Sequence, residues 1–71
     1  MARKPSFSNL IRNARIQRGL SVAEVAERVG VSGPCVYLWE TDQTQPRDAN
    51  LSALCKALKL PIRATKELAA A

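Results

Sequence analysis

The sequence predicts an all-α domain, and three features predict it. Four separate segments carry apolar residues at three- and four-residue spacing, the repeat of a helix with one buried face. Serines stand before the first three of these segments, and Gly19, Gly30 and Leu60-Pro61 stand after the first, second and fourth, as start and stop signals require. The chain has 71 residues, enough for one small domain with a modest core. Apolar residues make up 46% of it, an ordinary globular share that argues against overall disorder.

Residues 1–7 begin MARKPSF and read as a basic N-terminal arm, with Pro5 discouraging an earlier helix. The domain proper is expected over 8–71. Helix 1 is placed at about 8–18, capped by Ser6 or Ser8, with Leu10, Ile11 and Ala14 giving it a buried face and Gly19 ending it. Ser21 and Glu24 form an S-x-x-E capping box. Helix 2 follows over about 22–29, where Val22, Val25, Ala26 and Val29 repeat at i, i+3, i+4 and i+7 until Gly30 stops it.

Ser32 caps helix 3, placed at about 33–40. Gly33 and Pro34 fall in its first turn, where backbone N–H groups have no intrahelical acceptor and proline costs little. Cys35, Val36 and Trp39 share one face. Gly33, Pro34, Tyr37 and Leu38 share the other, and nothing obvious in the sequence buries them. After the polar loop TDQTQPR, helix 4 runs over about 48–58 with Leu51, Leu54, Cys55 and Leu58 on one face, and Leu60-Pro61 breaks it. The tail IRATKELAAA is weakly helical, with Ile62 and Leu68 as candidate anchors.

Composition narrows the function. The formal charge is +5 and the pI about 9.9, which suits a polyanionic partner, though charge alone leaves a merely basic soluble domain equally open. There is no histidine for acid–base work near neutral pH, no glycine-rich phosphate loop and no paired-carboxylate motif, so an enzyme is not expected. A hydrolase using Cys35 lacks the histidine partner that would activate the thiol. Two cysteines without histidine do not make a metal site, so no metal and no other cofactor is expected. No run of about 18 apolar residues is present and the N-terminus has no apolar signal-peptide core. An intracellular protein with reduced Cys35 and Cys55 is therefore expected, with no membrane and no small-molecule partner.

Two eight-residue helices joined by a short glycine turn make a helix-turn-helix. At this point GLSVAEVAERVGVSGPCVYLWE resembles the phage repressor/Cro-type (Xre-like) helix-turn-helix family. The matching residues are Gly19, Leu20, Ser21, Ala26, Gly30, Val31, Ser32, Val36, Trp39 and Glu40, then Pro46 and Lys56-Ala57-Leu58. The resemblance covers about residues 8–60. It implies a compact five-helix repressor-like fold and a DNA-binding transcriptional regulator that binds operator half-sites as a dimer. Helix 3 would be the recognition helix in the major groove. It further implies a cytoplasmic protein of a bacterial cell, host- or phage-encoded. Two readings of the chain's extent stay open: a stand-alone Cro-like protein, or the DNA-binding domain of a longer repressor. The rival from another class is a protein-interaction module, such as an antitoxin built on the same scaffold.

By the same resemblance, Gly33, Pro34, Tyr37 and Leu38 face base edges. Phosphate contacts fall to Ser21, Val22, Ser32, Thr41, Gln43 and Arg47, with Arg3 and Lys4 as a DNA-following arm or a solvated tail. Arg15 and Glu40 match an ion pair. Lys56, Lys59, Arg63 and Lys66 are expected on a solvated face. The sequence departs from the family pattern at Val22, where glutamine is usual, at Asp42, where glycine is common, and at Ala64-Thr65-Lys66, where an aromatic-leucine-leucine stretch is usual. The four outward residues of helix 3 include no amide and no charge. They cannot make bidentate contacts to guanine or adenine, which leaves apolar contact with thymine C5-methyl groups under Pro34 and Leu38, plus one hydrogen bond from Tyr37.

Overall fold

A computed structural model describes residues 6–70 of the chain. The arm residues Arg3 and Lys4 lie outside the described residues. Five helices follow one another: α1 (Phe7–Gln17), α2 (Val22–Val29), α3 (Gly33–Glu40), α4 (Asp48–Leu58) and α5 (Ile62–Ala70).

Helix α1 starts one residue earlier than expected. Ser6 has extended backbone angles and its hydroxyl accepts from the Asn9 N–H at 3.2 Å, so Ser6 is the cap and Ser8 is a buried residue inside the helix. Phe7, assigned to the arm from sequence, is the first helical residue and 4% exposed. It sits one turn before Ile11 and extends the stripe Phe7–Ile11–Ala14 along the core. The C-terminus closes as a Schellman motif. Gly19 takes φ +67°, its N–H donates to Ile16 O at 3.0 Å, and the Leu20 N–H donates to Arg15 O at 3.1 Å.

Helix α2 is held by the capping box read from the sequence, with both reciprocal hydrogen bonds at 3.0 Å. It packs against both α3 and α4, while α1 backs α3 and also touches α4 and α5. The core is Phe7, Ile11, Val25, Ala26, Val36, Trp39, Leu51, Leu54, Cys55 and Leu58, with Ala14 and Ala69 filling its edges. Both cysteines are free thiols, Cys55 buried and Cys35 half-buried against this cluster.

The second half departs from expectation in two ways. Helix α4 ends because Lys59 itself adopts the left-handed conformation, φ +55°, and the Leu60 N–H returns to Cys55 O at 2.8 Å. The tail forms a full helix, but Ile62, expected as an anchor, is 49% exposed. Thr65 turns inward instead, fully buried, together with Ala69 and the half-buried Leu68. Register does not separate them, since 62, 65 and 69 stand at i, i+3 and i+7 on one helical face; Ile62 is the first residue of α5 and stays exposed there.

Candidate nucleic-acid interface

Helices α2 and α3 are joined by the Gly30-Val31-Ser32 turn. Gly30 takes φ +90°, a conformation that side chains resist, and the N–H groups of Gly30 and Val31 both return to Ala26 O, at 2.8 and 2.9 Å. This sharp turn lets Val25 and Ala26 of α2 meet Val36 and Trp39 of α3, and so decides which face of α3 is left outside.

That outer face is the one expected. Pro34 is exposed, Tyr37 is 57% exposed, and Gly33 and Leu38 are half-buried. A Cβ placed on Gly33 would meet nothing within 4 Å, so the helix surface beside Pro34 and one turn before Tyr37 is open. No acidic residue stands in the first turn of α3 and no basic residue in its last. The Ser32 hydroxyl caps the helix by accepting a long hydrogen bond, 3.4 Å, from the Cys35 N–H, and with the Cys35 and Val36 N–H groups also donating to Ser32 O, the Gly33 N–H is left pointing out of the helix end.

The base of α3 is braced to α1. Arg15 Nε donates to Glu40 Oε2 at 2.7 Å, its Nη2 donates to Oε1 at 3.1 Å, and its Nη1 donates to Leu20 O at 2.9 Å. Side-chain exposures of 16% and 6% make this a largely buried bidentate pair. It ties the end of α1, the turn before α2 and the end of α3 to one point.

Around that brace the structure brings together residues that are far apart in sequence. Arg12, Arg15, Val22, Tyr37, Glu40 and Thr41 line a shallow pocket of about 290 Å³. Val22 is half-buried at the first position of α2, where its backbone N–H has no intrahelical acceptor. Ser21 spends its hydroxyl on the Glu24 N–H, so only its position is left to serve a phosphate. The Thr41 hydroxyl donates to Tyr37 O at 2.9 Å, and the Gln43 side-chain amide donates to the Thr41 hydroxyl at 2.9 Å, which orders the loop after α3. Asp42 in that loop has φ +63°, a conformation glycine takes freely and aspartate tolerates.

Arg12 was missed in the sequence. It is exposed, pairs with no carboxylate among the described residues, and faces the pocket beside Tyr37. Its signal was a cation three residues before Arg15, one helical turn away, but only the crossing of α1 over α3 makes that spacing meaningful. Arg47 is exposed at the start of α4 and makes no side-chain cap, outside this pocket. Asp48 follows it and pairs at 3.5 Å with Lys66, so the α4 N-terminus already carries a carboxylate. Lys56, Lys59 and Arg63 are exposed, as expected.

A fold with these contacts has known relatives. The family model described as Helix-turn-helix matches residues 11–64. The chain is similar to the crystal structure of the P22 c2 repressor in complex with synthetic operator 9T in the presence of Tl+. That match has a TM-score of 0.83 and 31% identity, over 87% of this chain and 94% of that one. It is also similar to the solution NMR structure of the DNA-binding domain of the P22 c2 repressor, with a TM-score of 0.83 and 28% identity over 99% and 95% of the two chains. No curated protein sequence matches it significantly. No helix of the described residues is long and apolar enough to cross a membrane. Because the family match spans the braced α1, the glycine turn and α3 through to α5, the chain belongs to the helix-turn-helix family, in its phage-repressor type.

Proposed function

We propose that this DNA-binding transcriptional regulator acts on operator DNA as a homodimer, with α3 of each copy in the major groove of one half-site. The observation that carries the reading is the outer face of α3. An apolar helix surface is left open on a chain of charge +5, similar to a repressor crystallised with a synthetic operator. A single module of this size buries only about 600–1,000 Å² on DNA, so useful specificity calls for a second copy.

Gly33, Pro34, Tyr37 and Leu38 are the base-facing residues in this reading. Phosphates would be held by the free Val22 N–H at the start of α2, next to Ser21, and by the free Gly33 N–H at the start of α3 after Ser32, with Thr41, Gln43 and Arg47 on the flanks. Arg12 joins them: its guanidinium is uncommitted and stands beside Val22, whose own side chain offers a phosphate nothing. Among the described residues neither the fold nor the composition offers catalytic machinery, and the family is one of regulators rather than enzymes.

Selection of bound duplexes from a random pool tests the reading. A pseudo-palindrome with half-site centres about 34 Å apart is expected. Thymines are expected under Pro34 and Leu38, and affinity should fall steeply with salt as each neutralised phosphate releases counterions. Sites without two-fold symmetry would overturn the dimer. No duplex binding at any salt would overturn DNA as the partner and favour a protein on the Tyr37-Leu38 face.

A further inference from the structure

The base-facing surface of α3 has a chemical blind spot. Thymine and cytosine present opposite hydrogen-bonding groups to the major groove, an O4 acceptor and an N4 amine donor. A helix carrying asparagine, glutamine or arginine would tell them apart at once. Pro34 and Leu38 carry no polar side-chain atom, and Gly33 carries no side chain. The single polar side-chain group on that face is the Tyr37 hydroxyl, which donates to O4 and accepts from N4 equally well. What this face can detect is the C5-methyl group. The surface at Gly33 is open, beside the exposed Pro34 and one turn before the exposed Tyr37, so such a methyl can approach the helix there.

The same methyl group, at the same ring carbon and pointing into the same groove, is carried by 5-methylcytosine. We infer that α3 reads 5-methylcytosine as it reads thymine, so that methylation of cytosines in the operator strengthens binding by this regulator. The inference rests on the operator-binding reading and deepens it by naming a second base and a chemical mark that the site responds to. The charged residues Arg12, Arg15 and Glu40 line a pocket together with Tyr37 at the α1 side of the helix. Gly33, Pro34 and Leu38 do not line that pocket. The first turn therefore has no charged group of its own to favour O4 over N4.

The test uses the full chain and a selected operator in which one thymine·adenine pair of each half-site is replaced in turn by a cytosine·guanine pair. Each duplex is measured with cytosine and with 5-methylcytosine, which differ only by the methyl group, and the parent duplex is measured with thymine and with uracil. At the positions under Pro34 and Leu38, 5-methylcytosine should bind about fourfold tighter than cytosine, the gain for burying one methyl-sized group. The thymine-to-uracil ratio there should be similar, and Pro34→Ala should bring both ratios at its position towards one. A 5-methylcytosine-to-cytosine ratio of one, where thymine still outbinds uracil, overturns the inference and leaves the operator-binding reading in place. Equal binding of thymine and uracil throughout overturns methyl readout of either base. Failure to bind any of the duplexes overturns the operator-binding reading itself.

Discussion

Helices α2 and α3 have the same length, eight residues, each starts after a serine cap, and they lie side by side. Their surfaces differ. In α2 the apolar residues Val22, Val25, Ala26 and Val29 make one stripe, and Glu24, Glu27 and Arg28 face solvent. In α3 apolar residues go all the way round, and only Val36 and Trp39 are fully buried. By the rule that a helix apolar on every side belongs inside a protein, α3 should be buried throughout. It is not: Tyr37 and Pro34 stand in the open. A helix with one polar face is accounted for by its own domain. A helix whose outer face stays apolar without being covered carries a surface that folding does not need.

The sharpest way to test that contrast lies within α3. Trp39→Ala, on the inner face, should cost about 3–5 kcal/mol, enough to unfold most molecules of a domain this small. Tyr37→Ala, two residues away on the outer face, should change stability by no more than about 0.5 kcal/mol. Thermal melts followed by circular dichroism compare the two, and similar losses for both would erase the distinction between the faces.

Next in size is the brace that holds α3 in place. Arg15→Ala or Glu40→Ala should each destabilise the fold by about 1–3 kcal/mol, because the partner is left buried and unpaired. The double variant should lose less than the sum of the singles. Strict additivity in a double-mutant cycle would show that the two residues act separately.

The caps should follow the same contrast at a smaller scale. Ser21→Ala removes the 3.0 Å bond that its hydroxyl accepts from the Glu24 N–H and should cost about 1 kcal/mol, whereas the Ser32 hydroxyl accepts one bond of 3.4 Å and Ser32→Ala should cost less. Denaturant midpoints rank the pair, and a larger loss at Ser32 would reverse the assignment of α2 as the better-anchored helix.

The smallest expected effect is a pH dependence. The Ser21 backbone N–H, followed by the Ser21 hydroxyl and then the Arg28 charge, lowers the Glu24 carboxyl below its ordinary value of 4.5. A depressed carboxyl stabilises the fold above its unfolded-state value, and the gain disappears as pH falls through its folded-state value. The melting-temperature advantage of the native chain over Glu24→Gln should therefore be present at neutral pH and fade below 4.5. An advantage that is constant through that range would mean the carboxyl charge contributes nothing.

Much of this was legible in the residues. The bounds of α2 and the starts of α3 and α4 follow from Ser21, Gly30, Ser32 and Pro46, because caps and turn residues act over a few bonds and depend little on what lies elsewhere. The outer face of α3 was legible for a related reason: a 3.6-residue repeat sorts 33, 34, 37 and 38 from 35, 36 and 39 before any neighbour is known. Their role at base edges, by contrast, came from the family resemblance and stays a proposal here.

What the sequence by itself determined, then, is the set of helices and the sorting of their faces, since hydrogen bonding along one segment and its apolar repeat are local properties. Tertiary structure decided where the ends of the domain lie and which charges matter. Phe7 joined the core one turn before Ile11, on a helix that packs against α3, α4 and α5, and from α5 it is Thr65 rather than Ile62 that is buried. Arg12, Arg15, Lys56 and Arg63 are four similar cations in the sequence. Only the crossing of α1 over α3 commits Arg15 to Glu40, sets Arg12 free beside Tyr37 and leaves the other two in solvent, because an ion pair depends on distance in space and the sequence records distance along the chain.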